Sequence, residues 1–214
     1  MGRVYVHYGA GLTAPDGWLN FDVSPTLRLG RFPVLGPFVK SPFPANVRYG
    51  DIVRGLPVGD GTADGVFCSH VLEHLSRMDF DVAIANSLRM LKPSGRFRLV
   101  VPDLEGRVRR YVEAKAMGHA GASDRLMREM LVGMERRPRS LMDHIRAAFG
   151  NSAHLRMWDY AGIHAALEKT GFVEIRRCQF GDSGDAMFDA VERKDRFFDE
   201  ALGIAECAVE ARRP

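Results

Sequence analysis

The sequence predicts an α/β fold built on a mainly parallel sheet. Three observations carry that prediction. Residues 63 to 103, ADGVFCSHVLEHLSRMDFDVAIANSLRMLKPSGRFRLVVPD, read as strand, helix, strand, the crossover unit that builds parallel sheets. Residues 3 to 8, RVYVHY, are rich in strand formers and run straight into Gly9-Ala10-Gly11. Trp18 to Asp22 forms a second short strand that ends in a carboxylate. In open sheets of this class, ligands bind beyond the carboxyl ends of the strands, so those ends are where function is expected.

Each element follows from local chemistry. After the first strand, Gly9 and Gly11 supply a turn without side chains, which either lets a ligand approach the backbone closely or is a plain turn. Asp22 stands where nucleoside-binding folds use a carboxylate to accept both ribose hydroxyls. The intervening Leu12 to Gly17 leaves no room for a full helix. Residues 23 to 45 hold Pro25, Pro33, Pro37, Pro42 and Pro44, which exclude a regular helix or central strand. The same segment carries Leu27, Leu29, Phe32, Val34, Leu35, Phe38 and Phe43, so it reads as a packed loop or a partner-facing surface, a candidate homodimer contact. Asn46 to Tyr49 is the third strand, followed by Gly50-Asp51-Ile52, which alone is a turn.

The fourth strand, Gly65 to Ser69, runs into His70-Val-Leu-Glu73-His74. An amphipathic helix follows over Asp79 to Leu91, with Phe80, Ala83, Ile84, Ser87, Leu88 and Leu91 at helical spacing. Lys92-Pro93-Ser94-Gly95 stops it, with glycine as the left-handed cap. The fifth strand, Phe97 to Val101, ends at Asp103. Residues 104 to 156 form a mostly helical insertion, with a further short helix at His144 to Phe149 and a net charge of +5 from eleven arginines and lysines against six acids. Trp158 to Thr170 is a helix capped by Gly171, Phe172 to Phe180 a strand, 186 to 200 helical, and Ile204 to Ala211 the last strand.

Composition narrows the function classes. The chain of 214 residues suits one domain with an insertion. Cys68, Cys178 and Cys207 are odd in number and widely spaced, which fits a reducing, cytoplasmic setting. No apolar run approaches the roughly 18 residues that span a bilayer, and no signal-peptide pattern opens the chain. A net charge of +3 without a helix-turn-helix, zinc or RNA-binding signature does not point to nucleic acid. There is no G-x-S-x-G elbow and no phosphate-binding G-x-x-x-x-G-K-[ST]. His70 to His74 spells H-x-x-E-H, a zinc-hydrolase motif, but that chemistry needs the residues on one helix face and a further ligand downstream. Here the motif starts at a strand end and Leu75-Ser76-Arg77 follows at once, so no metal is expected. His119, His144, His154 and His164 read as ordinary surface or core histidines.

The fourth strand running into HVLEH, and the L-K-P-S-G stretch before the fifth, resemble class I S-adenosylmethionine-dependent methyltransferases, in particular a small methyltransferase type 11-like family. Ser94 stands where that family has the first Gly of L-K-P-G-G. Gly17, Trp18, Asn20 and Asp22 match its G-W-x-N-x-D signature. The resemblance implies a Rossmann-like sheet with an antiparallel last strand and a helical insertion after strand five. It implies S-adenosylmethionine as cofactor, with Gly9 and Gly11 at the methionine part, Asp22 at the ribose, and Tyr8 and Ile52 among the cofactor-binding residues. Asp51 would then lie at the adenine, with Ser69 and His70 at the sulfonium. His70, Glu73, His74 and Asp103 are the candidates for a base on the acceptor side, histidine because it titrates near neutrality. The Glu-His pair equally suits a structural cap on the following helix. The implied acceptor is a small sugar or glycoconjugate, and the basic insertion suggests an anionic one. The missing helices around strand one leave a second expectation open, a catalytically inactive binding or scaffold protein with the same fold.

Overall fold

The computed structural model describes residues 2–30, 41–133, 140 and 153–214. Seven strands form one sheet in the order β3-β2-β1-β4-β5-β9-β6. They are β1 Tyr5–Tyr8, β2 Trp18–Asp22, β3 Val47–Tyr49, β4 Ala63–Ser69, β5 Leu91–Val101, β6 Val173–Arg177 and β9 Cys207–Arg212. β1 to β5 pair in parallel, and β9 runs antiparallel between β5 and β6. The short strands β7 Phe198–Asp199 and β8 Ile204–Ala205 pair separately, so the predicted last strand is split in two.

Alternation along the strands gives the sheet two apolar faces. Val6, Tyr8, Phe21, Val66, Cys68, Phe97 and Leu99 belong to the larger core. Two helices complete it: α2 Arg77–Met90 with Phe80, Ala83 and Ile84, and α5 Tyr160–Thr170 with Ile163 and Leu167. The other face, Tyr5, Trp18, Phe67, Val100 and Ala208, is covered by Phe188, Val191 and Phe197. These come from two short helices, α6 Ala186–Val191 and α7 Lys194–Phe197. This late segment covers the β1, β2 and β4 side of that face. Tyr5 Oη donates to Asp185 at 2.7 Å and Trp18 Nε1 to the Met187 carbonyl at 3.1 Å, which pins the segment to β1 and β2.

Two local expectations are corrected. Residues 25–30 are a short helix, α1 Pro25–Gly30, despite the prolines. Pro25 is its first residue, where a missing N–H has no partner to lose. The prediction for residues 31–40 lies outside the described residues, as does the predicted helix at His144 to Phe149. In the Lys92–Gly95 stretch, which follows α2 and belongs to the start of β5, Ser94 and not Gly95 is left-handed, with φ +60°. Gly95 is needed for space: a Cβ there would stand 2.8 Å from the Lys92 carbonyl oxygen. After β5 come α3 Leu104–Ala116 and α4 Ala122–Glu129, the described helices of the insertion.

Candidate functional site

The carboxyl ends of β1 to β4 gather most of the residues singled out in the sequence. Gly9 and Gly11 follow β1 with φ of +69° and +52°. Their needs differ. A Cβ on Gly9 would meet Val71 at 2.1 Å, whereas one on Gly11 would meet no described residue within 4 Å. Gly9 therefore serves packing, and Gly11 borders open space. Asp22 ends β2 half-buried, its Oδ2 accepting from Gly11 N and its Oδ1 from Ser24 N, each at 2.9 Å. Each carboxylate oxygen keeps a lone pair free. Gly50 N donates to the Asp22 carbonyl, which brings the end of β3 alongside, and Asp51 follows with Oδ1 accepting from Val53 N. Ile52 is buried, and its carbonyl accepts from Asn86.

Two of the candidates turn away. Tyr8 is buried in the larger core with its hydroxyl 3.2 Å from Ser87, so only its main chain is available at the strand end. Asp103 is the N-cap of α3, its Oδ2 accepting from Gly106 N at 2.6 Å. A carboxylate at an N-cap is held for that purpose. Ser69 is buried at the end of β4, its hydroxyl without a hydrogen-bond partner among the described residues. Between it, Gly9, Ala10 and the arginines Arg193 and Arg196, the cleft is only about 20 Å³.

His70 to His74 is not an α-helix. His70 has φ +54°, and a single 3₁₀ turn covers Leu72–His74. The zinc-hydrolase reading, which needs a helix, fails here. The capping reading fails too: Ser76 caps α2, accepting from Asp79 N and donating to Asp79 Oδ2 at 2.7 Å. Glu73 is fully buried. Neither of its carboxylate oxygens has a hydrogen-bond partner among the described residues. Three imidazoles surround it, with His70 Nδ1 at 3.5 Å, His74 Nε2 at 3.9 Å and His154 Nε2 at 4.0 Å from Oε1. Burial pushes the Glu73 carboxyl up to about 8 and lowers His154 to about 4, since the interior disfavours either charge.

His154 is the residue that sequence reasoning missed. It reaches the turn because residues 153–156 run along it. Leu155 N and Arg156 N donate to the Glu73 carbonyl, and His154 N donates to Leu131. No spacing rule signals a partner eighty positions away.

Three arginines of the basic insertion already have carboxylate partners. Arg107 is buried, donating to both Glu206 oxygens at 2.8 and 2.9 Å and lying 3.4 Å from Asp199. Arg109 pairs with Glu105, and Arg110 with Glu129 and the Leu202 carbonyl.

Residues 35–99 match a family model described as a methyltransferase domain. No curated protein matches the sequence. An S-adenosylmethionine-dependent methyltransferase from Thermotoga maritima, described as a possible histamine N-methyltransferase, is 16% identical with a TM-score of 0.52, over 100% of this chain and 83% of that one. A SAM-dependent methyltransferase from Archaeoglobus fulgidus is 15% identical with a TM-score of 0.49, over 99% and 86%. Residues 35–99 thus carry a methyltransferase-domain match, and the sheet around them has the fold of S-adenosylmethionine-dependent methyltransferases.

Proposed function

We propose that the protein transfers a methyl group from S-adenosylmethionine to a small acceptor. The observation that carries this is the gathering of Gly11, Asp22, Asp51 and Ser69 at one sheet edge, with open space over Gly11. When bound, the cofactor supplies an already activated sulfonium methyl group, so positioning is the main demand on the protein. Asp22 has lone pairs to accept ribose hydroxyls, and Asp51 has them for the adenine amine. Ser69 brings an unpartnered hydroxyl to the methionine side. Where the acceptor must lose a proton, the His70, Glu73 and His74 group stands at the end of β4 to take it.

The acceptor we propose is the sugar or glycoconjugate that the family resemblance implies. Charge gives little support for an anionic one, because Arg107, Arg109 and Arg110 already face carboxylates. Competition between neutral and anionic sugars at rising salt tests that point. We also propose a homodimer through residues 23–45 or the insertion, to be read by light scattering.

One observation favours the second reading, a scaffold without turnover. A cleft of about 20 Å³ beside Gly9 and Ser69 is far below the roughly 300 Å³ of a ligand pocket, so Arg193 and Arg196 must move for the methionine part to enter. Calorimetry tests cofactor binding and turnover separates the two readings. S-adenosylhomocysteine is expected to bind, and Asp22→Ala to weaken it by about 1–3 kcal/mol. A folded protein that binds the cofactor but turns over no acceptor selects the scaffold.

A further inference from the structure

We infer that Glu73, His74 and His154 form a binding site for one divalent transition-metal ion of the zinc type. The ligand atoms of these three side chains all lie within 4.8 Å of one another. The inference starts from which atoms face each other. His74 Nδ1 lies 3.0 Å from the Ala153 carbonyl and His70 Nε2 lies 3.0 Å from the Arg196 carbonyl. A carbonyl only accepts, so each of those nitrogens carries the proton. In a neutral ring the opposite nitrogen is then a bare lone pair. Those opposite nitrogens, His74 Nε2 and His70 Nδ1, are the ones turned toward Glu73. His154 adds its Nε2 from the far side of the turn.

Two of the three imidazoles thus turn acceptors toward a carboxylate that is fully buried, with both oxygens unpartnered among the described residues. A cation resolves such an arrangement. A proton alone does so poorly. Shared between Glu73 and one imidazole, it would draw that pair to about 2.7 Å. The separations are instead 3.5 to 4.0 Å. An ion bound at about 2.0–2.1 Å from each ligand holds neighbouring ligands roughly 3.4 Å apart in a tetrahedron, and wider in open geometries. The two histidine–Glu73 separations, 3.9 and 4.0 Å, need about half an ångström of contraction, and no pair of the three ligand atoms is more than 4.8 Å apart.

The donor set also chooses the ion. Two imidazoles and one carboxylate suit zinc and its first-row neighbours, while magnesium and calcium want oxygen ligands. The bond from His74 to the Ala153 carbonyl is the outer hydrogen bond that fixes the ring and tautomer of a metal-bound histidine. Three protein ligands would leave one position open on a four-coordinate ion. This inference does not depend on methyl transfer, since the ion needs neither cofactor nor acceptor.

The test is titration of the full-length protein, stripped with EDTA, first with Co²⁺ and then with Zn²⁺. One equivalent of Co²⁺ is expected to give the intense visible bands of a four- or five-coordinate ion, and Zn²⁺ to abolish them. Glu73→Gln and His154→Asn should each weaken binding by more than about tenfold. His164→Ala, an imidazole outside the cluster, should leave the affinity unchanged. The inference is overturned by wild-type protein that gives no bands and no heat with either ion. It is equally overturned if folded Glu73→Gln and His154→Asn bind as tightly as wild type, for the ion would then sit elsewhere. If either variant fails to fold, the wild-type titration still decides.

Discussion

Ser94 shows how much one side chain can carry. It takes φ +60°, a conformation that costs a residue with a Cβ roughly 1–2 kcal/mol. Glycine avoids that cost but loses more entropy on folding. We expect Ser94→Gly to raise stability by up to about 1 kcal/mol, read as a higher urea midpoint with an unchanged slope. A lower midpoint would mean that the Ser94 main chain, whose N–H donates to the Arg213 carbonyl and whose carbonyl accepts from the Arg212 guanidinium, has tuned itself to serine. The sequence revealed that this turn must break a helix, yet not which residue would be left-handed. Gly95 looked the obvious choice because its need, space against the Lys92 carbonyl, is invisible without coordinates. Asp22 lies at the opposite extreme. Its position at a strand end after a glycine turn was readable directly, and the structure places it against Gly11 N.

At the scale of elements, the strands were legible because their alternation and length are local properties. β2 begins and ends where the sequence reading placed it, and β4 and β5 each extend further toward the N-terminus. What the sequence could not reveal is which element covers which face. α6 is six residues long and lies on the face of β1, β2 and β4. Phe188 meets Tyr5 and Trp18 edge-on at 5.9 and 5.5 Å and is fully buried. Phe188→Ala should therefore cost about 3–5 kcal/mol and loosen the segment over Gly9 and Ser69 as well, seen as faster amide exchange at 186–197. The arginines of α3 divide in the same way. Arg107→Ala leaves Glu206 buried without its main partner, and about 3–5 kcal/mol of stability is expected to go with it. Arg109→Ala removes only an exposed pair with Glu105 and should change stability by less than about 1 kcal/mol. A net charge counted along the chain cannot distinguish these two residues, because pairing is a tertiary property.

At the scale of the whole molecule, burial of ionisable groups sets how stability depends on pH, and two of them oppose each other. His7 lies in β1 among Trp18 and Phe67, nearly inaccessible, with Nδ1 3.3 Å from Asn20 Oδ1. Burial lowers its imidazole to about 4, and the Arg196 charge acts in the same direction. The unfolded chain protonates His7 near its ordinary value of about 6.5, so between pH 6.5 and 4 the unfolded state binds more protons than the folded one. Stability contributed by His7 is thus complete above pH 6.5 and declines as pH falls toward 4, by about 3 kcal/mol at most. Glu73 works the other way: with its carboxyl raised to about 8, the folded state holds a proton that the unfolded state has released, and stability falls as pH rises from 4.5 to 8. The wild-type curve mixes both, so its slope alone identifies neither. His7→Gln removes one term and keeps a donor for Asn20. In EDTA, with urea unfolding followed at pH 7 and pH 4.5, the variant should lose clearly less stability on acidification than wild type. Parallel losses in the two proteins would mean that the His7 ring accepts a proton in place, and that the β1 face is more open to water than its packing against Phe67 and Trp18 implies.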